Sequence, residues 1–202
     1  WHYRFTGIPH IENVPYNDRL YSIYTLPISS QTPQRHIRFK LFTSKGHCLN
    51  YVDTRCLSTL ILYPNTLIDQ TERYQSLADD LSQVQHIQTK DLKKFPNKRL
   101  KLFLQDQFTQ PSGIGNYLAC EICAYAKLNP FMLLKQISSQ QVQHLNDALA
   151  MVHNHAMRTS TYDWFLVFNQ AYCQRCGKAV TKKKFKPTEQ TTHWCTRCQP
   201  IK

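Results

Sequence analysis

Long apolar runs are missing: nothing in the sequence approaches the roughly 18 consecutive apolar residues that a membrane-spanning helix needs. No signal-peptide pattern opens it either. No membrane partner is therefore expected, and the expected home is an intracellular, reducing compartment: nucleus, mitochondrion or a bacterial-type cytoplasm. Acidic side chains are scarce: 13 Asp plus Glu stand against 25 Lys plus Arg, a formal net charge of +12. Such an excess suits a polyanionic partner, because each neutralised phosphate releases counterions and strengthens binding; a basic protein without such a partner is the alternative. Internal repeats and low-complexity linkers are absent too. The first residue is Trp rather than Met, which reads as a processed or truncated start, or as numbering from an internal residue. What is present, 42% hydrophobic residues in 202, suffices for one or two buried cores.

The periodicities divide this material into two lobes joined near residues 64–75, an α+β class. Ile37, Phe39 and Leu41 alternate with His36, Arg38 and Lys40; Ser44-Lys45-Gly46 makes a turn, and Leu49, Tyr51 and Asp53 continue beyond it. Period-two alternation around a glycine turn predicts a hairpin. Leu57 to Tyr63 is a further apolar run, closed by Pro64-Asn65. From about Tyr74 helical spacing takes over. Ser138 to Gln141 resembles a capping box, followed by Val142, Leu145, Leu149, Val152 and Ala156 on one face. A second helix is expected from Gly115 to Leu128, stopped by Pro130, and a third from Asp91 to Gln107. The tail from Val167 returns to short strands.

Cysteine spacing carries the strongest chemical signal. Cys173-Gln174-Arg175-Cys176 and Cys195-Thr196-Arg197-Cys198 are two CxxC turns with 18 residues between them. Each turn brings two thiolates to one ion, and a pair of turns completes a tetrahedral four-sulfur shell, the pattern of structural Zn2+. Such a closed shell holds a hairpin together and leaves no position for chemistry. Two disulfides, or four buried thiols, are the other uses of these cysteines. Between the pairs runs Thr181-Lys182-Lys183-Lys184-Phe185-Lys186, in which Lys182 and Lys184 are candidate phosphate contacts; a merely solvated charged face is the alternative. Cys120 and Cys123 lie within the expected second helix and read as buried free thiols. His153 and His155 fall on different helix faces and read as surface residues.

Gly113-Ile114-Gly115-Asn116 opens the second helix. Glycines there let a phosphate approach exposed backbone N–H groups, where the helix dipole favours an anion.

From Leu100 to Pro130, LKLFLQDQFTQPSGIGNYLACEICAYAKLNP resembles the helix-two-turn-helix of the formamidopyrimidine-DNA glycosylase and endonuclease VIII family. VFNQAYCQRCGKAV and QTTHWCTRCQ resemble that family's zinc finger, in the same order. His2-Tyr3-Arg4-Phe5-Thr6-Gly7 is similar to its H-x-x-M-[ST]-G strand, and Tyr51 to Leu57 to its Y-x-D-x-R-x-F loop. The resemblance implies a partial β-sandwich-like lobe over residues 1–70, a helical helix-two-turn-helix domain over 71–166 and a zinc-ribbon hairpin over 167–202. It implies DNA or RNA as partner and one structural zinc. It places phosphate contacts at Asn116, the Gly115 backbone and Lys101. It puts the side chains that fill the space of a flipped nucleotide at Phe5, Arg55 and Leu57.

Departures from the family pattern matter as much. Family enzymes attack with an N-terminal Pro amine, shuttle protons with the next Glu and use a Lys of the first lobe. By this alignment all three precede His2, so no catalytic residue is assigned. The family's Arg five residues before the third finger cysteine is here Gln190, which donates a hydrogen bond without charge. The expectation is a catalytically inactive binding subunit, set in an RNA–protein or DNA–protein assembly with other proteins. The alternatives are a base-excision glycosylase and AP lyase whose catalytic segment precedes Trp1, and a sequence-specific regulator.

Overall fold

Alternation, a left-handed glycine and a run of β-formers produce the hairpin at the positions expected for it. In the computed structural model, which describes residues 7–11, 36–53, 56, 61, 66–84, 86–109, 111–158, 161–186 and 188–201, strand β2 (Ile37–Phe42) pairs antiparallel with β3 (Cys48–Asp53). Gly46 sits in the turn at φ +81°, a conformation that a side chain would strain. Strand β1 (Gly7–Ile11) pairs with the other edge of β3, giving the order β1-β3-β2. The alternation breaks in two places. The register shifts between Ile37 and Phe39, and the guanidinium of the intervening Arg38 donates to the Asp53 carbonyl at 2.7 Å. In β3, five of the six residues are buried, Asn50 and Asp53 among them, so the middle strand does not alternate as the sequence pattern implied. Phe39 stacks on its cross-strand neighbour Tyr51, ring centroids 5.0 Å apart. These strands belong to the first of two compact units, Trp1–Ile68; the second is Asp69–Lys202.

The second unit is helical at its core. The long helix α5 (Ser139–Arg158) starts with the capping box that the sequence announces: the Ser138 hydroxyl accepts from the Gln141 N–H at 3.3 Å, and the Gln141 side chain accepts from the Ser138 N–H at 2.9 Å. Val142, Leu145, Leu149 and Val152 are buried from one face, with Ala156 partly buried beyond them. They pack against α4 (Asn116–Tyr125), whose Ala119, Ile122 and Cys123 belong to the same core. Burying each of the large aliphatic side chains contributes about 1.5–3 kcal/mol.

The single helix expected from Asp91 to Gln107 is two. A short α1 (Glu72–Gln75) precedes them, then α2 (Thr89–Lys93) stops and α3 (Leu100–Leu104) begins anew. Pro96 explains the break: it has no N–H to continue the ladder and crowds the residue before it out of helical geometry. The restart is fixed from outside, because the N–H groups of Leu100 and Lys101 donate to the carbonyls of Met132 and Pro130.

Just after α3, Asp106 pairs with Lys98, whose ammonium also sits 5.1 Å from the Phe95 ring. Burial works to raise the Asp106 carboxyl, but the hydrogen bond from Lys98, the N–H of Phe108 and the Lys98 charge together hold it below the ordinary carboxylate value. A group whose pKa is lower folded than unfolded stabilises above the unfolded value, about 3.9, and loses that contribution as pH falls. Asp106→Asn is therefore expected to lower the urea midpoint at pH 7 and to make progressively less difference below about pH 4. A difference that is the same at both ends would show that the pair contributes nothing.

Candidate nucleic-acid interface and metal centre

Two tight turns bring the four thiols together. The Gly177 and Cys176 N–H groups donate to the Cys173 carbonyl in the first, and the Gln199 N–H to the Cys195 carbonyl in the second; Gly177 takes φ +71°. Between them β4 (Thr181–Phe185) and β5 (Gln190–Trp194) form the hairpin, with Lys182 opposite His193 and Lys184 opposite Thr191. The four Sγ atoms lie within 4.8 Å of one another, Cys173 and Cys198 at 4.0 Å and Cys176 and Cys195 at 3.5 Å. An ion about 2.3 Å from each of four tetrahedral sulfurs needs separations of about 3.8 Å. The donor set fits one metal ion. All four are free cysteines, far beyond disulfide bonding distance, so the two-disulfide reading is discarded.

The hairpin is welded to the helices by polar groups that the sequence pattern did not mark. Glu121 of α4 is fully buried and accepts from three successive N–H groups, those of Leu166 at 2.7 Å, Val167 at 2.9 Å and Phe168 at 2.6 Å. Burial pushes its carboxyl above the ordinary range, against the pull of those donors. Arg175, inside the first CxxC, donates to the carbonyls of Ala124 at 2.6 Å and Tyr125 at 3.4 Å, satisfying the end of α4. Gln199, just past the last cysteine and fully buried, accepts from the Cys195 N–H and donates to the Leu128 carbonyl, both at 2.9 Å. Asn129 donates to the Gln199 carbonyl at 2.9 Å. A carboxylate inside an otherwise apolar helical run, Cys120-Glu121-Ile122-Cys123, was the one available hint.

The candidate contacts fall along this seam. Gly115 is exposed and N-caps α4 with no side chain to bond the first-turn N–H groups. Asn116 is only 7% exposed, and its Nδ2 donates to the Thr191 carbonyl of β5 at 3.0 Å. Gly113, at φ +85°, turns the chain into α4 so tightly that a Cβ there would lie 2.5 Å from an Asp80 carboxylate oxygen. Its N–H donates to the Gln107 side chain at 3.0 Å. Lys101 of α3 is fully buried and bonds the Gln105 side chain, which in turn bonds Gln190. Burial lowers the Lys101 pKa. Lys182 and Lys184 are exposed on β4. His193 beside them is pushed down to about 4 by burial and by Lys182 and Lys101, and so is neutral at physiological pH. Phe5, Arg55 and Leu57 lie outside the described residues, as does the His2 to Thr6 segment.

Cys120 and Cys123 are fully buried free thiols, and burial raises Cys120 to about 11, so it stays protonated. His153 and His155 are not simply surface residues: both are half-buried, and His155 stacks on Trp164 with ring centroids 5.4 Å apart.

No family model matches the chain. Among curated proteins it is 28% identical over 197 residues to the formamidopyrimidine-DNA glycosylase of Prochlorococcus marinus (strain MIT 9312), covering 85% of this chain and 65% of that protein. The Mycoplasma genitalium enzyme of the same name is 28% identical over 192 residues, covering 85% and 66%. Endonuclease 8 of Pectobacterium atrosepticum is 26% identical over 201 residues, covering 91% and 74%. Over most of its length the chain is similar to formamidopyrimidine-DNA glycosylases and endonuclease VIII. It spans about two thirds of the length of these first relatives, 65% and 66%. The fold agrees: a Lactococcus lactis formamidopyrimidine-DNA glycosylase, solved non-covalently bound to DNA containing an AP site, superposes with a TM-score of 0.73. It covers 99% of this chain and 73% of its own, at 19% identity. In family terms the seam between α4 and the metal hairpin is the join between helix-two-turn-helix and finger.

Among the described residues no helix is long and apolar enough to cross a membrane.

Proposed function

We propose that Asp69–Lys202 grips the sugar–phosphate backbone of DNA between the N-terminus of α4 and a zinc-pinned hairpin. The observation that carries this reading is the bond from Asn116 to Thr191, which joins the glycine-opened helix to the strand beside the lysine arm. Uncapped first-turn N–H groups at Gly115 supply partial positive charge, and Lys182 and Lys184 supply full charges. The four thiols suit Zn2+, whose role here is to hold the hairpin. Relatives solved on DNA favour DNA over RNA as the partner.

Binding without base excision is the reading that position 190 favours. A neutral Gln replaces the charged fork with which family members hold phosphates, and the exposed Glu189 beside it repels them. The protein then serves as a binding subunit of a nucleic-acid assembly, and Phe5, Arg55 and Leu57 act as wedges rather than as parts of an excision site. An active glycosylase is the other reading, favoured by the family match itself.

Binding of the native protein to a duplex with one abasic site is expected to weaken as salt rises, and Asn116→Ala is expected to weaken it about tenfold at fixed salt. Borohydride should trap no covalent adduct. Binding insensitive to salt would overturn the backbone clamp. A trapped adduct would establish the enzyme, and preference for an RNA competitor would exchange the partner.

A further inference from the structure

Three side chains in a row fix the chemical polarity of the seam. The Lys101 ammonium, fully buried on α3, donates to Gln105 Oε1 at 2.8 Å. The Gln105 Nε2 donates to Gln190 Oε1 at 2.7 Å. A lysine ammonium has three donors and no acceptor, whereas a glutamine amide has one acceptor end and one donor end. The cation therefore dictates the orientation of everything after it. Gln105 must turn its oxygen inward and its NH2 outward, so Gln190 must accept through its oxygen and present its own NH2 beyond the pair.

We propose that Gln105 is a positioning residue that relays the polarity of buried Lys101 to Gln190, making the half-buried start of β5 an obligate hydrogen-bond donor toward a phosphate oxygen. The inference rests on the backbone-binding reading above. It explains how a neutral amide can stand in the finger where charge is usual. A free glutamine turns either end to its partner, and half of its orientations repel an anion. This one has a single allowed orientation, and its donor is polarised by the chain behind it. The backbone carbonyl of Gln105 also accepts from the Gln107 side chain at 3.0 Å, and Gln107 in turn holds the Gly113 N–H. One residue thus ties the α3 cation, the turn before α4 and the first residue of β5 together.

Gln105→Glu tests the relay, because a carboxylate accepts and cannot donate. Lys101 gains an ion pair, while Gln190 must turn its NH2 inward to the carboxylate and its oxygen outward. With the native protein and an abasic duplex, Gln105→Glu is expected to keep its thermal midpoint and its metal, yet to bind about tenfold more weakly. That loss should persist as salt is raised, since a misdirected amide is a short-range fault. Gln105→Met, which breaks the chain without inverting it, should lose less. Adding Gln190→Arg to Gln105→Glu should restore binding, because Arg donates to both sides. Affinity unchanged in Gln105→Glu, or a loss that fades at raised salt as a plain charge effect does, overturns the relay while leaving the clamp standing. Failure of the wild-type protein to bind DNA at low salt overturns both.

Discussion

Cys176→Ser is expected to release the metal and dissolve the hairpin, with effects that reach α4. A structural four-thiolate zinc site contributes on the order of 10–16 kcal/mol of apparent binding free energy at neutral pH, and that free energy is folding free energy. β4 and β5 are five residues each, and an isolated two-stranded hairpin is marginal in water. Loss of the first knuckle also withdraws Arg175 from the Ala124 and Tyr125 carbonyls at the end of α4. Metal analysis should give one ion per wild-type chain and none in the variant. Amide exchange should rise across residues 173–199 and, to a lesser degree, at the last turn of α4. Retention of a full equivalent of metal by the variant would sink the four-sulfur assignment, and unaltered exchange would sink the structural role.

Glu121→Leu is expected to be almost as damaging, although it touches no cysteine. The substitution fits the volume of an apolar helix face but strands three N–H groups, those of Leu166, Val167 and Phe168, without an acceptor. Leaving three backbone donors without an acceptor costs about 3–5 kcal/mol in all, at about 1–3 kcal/mol each, a large share of the stability of a domain this size. Glu121→Gln keeps one acceptor oxygen and should cost about half as much. Urea denaturation would show the ordering through the midpoint at constant slope. A Leu variant as stable as the wild type would mean that these N–H groups find other partners, and the carboxylate would then lose its place as the hinge-pin of the unit.

The two predictions bear on different kinds of information in the sequence. The thiols were legible because metal coordination demands close spacing within each pair, and that spacing survives in one dimension. The α5 capping box and the β2–β3 turn were legible for the same reason: their bonds join residues three or four apart. Glu121, Arg175, Asn129 and Gln199 bond partners 45 to 71 positions away, and a non-local polar contact leaves no periodic trace. Gln105 lies 85 positions from Gln190. The split of α2 from α3 is different: Pro96 is visible in the sequence, but the apolar spacing on either side of it keeps a helical period that hides the missing N–H. Of the interface, Asn116, Gly115, Lys101 and Gln190 do converge on one seam. What the residue string concealed is that Lys101 is buried and bonds Gln105, which in turn meets Gln190.

The bracket made by Gln199 limits how this finger can be moved between proteins. Its side chain spans from the second knuckle to the corner after α4, while Trp194 sets its ring edge-on against Phe131, centroids 4.9 Å apart. A ribbon cut out as a free-standing peptide would carry its metal yet lose half of the wall against which it is shaped. Any graft or chimera that exchanges the finger must therefore carry residues 124–131 with it.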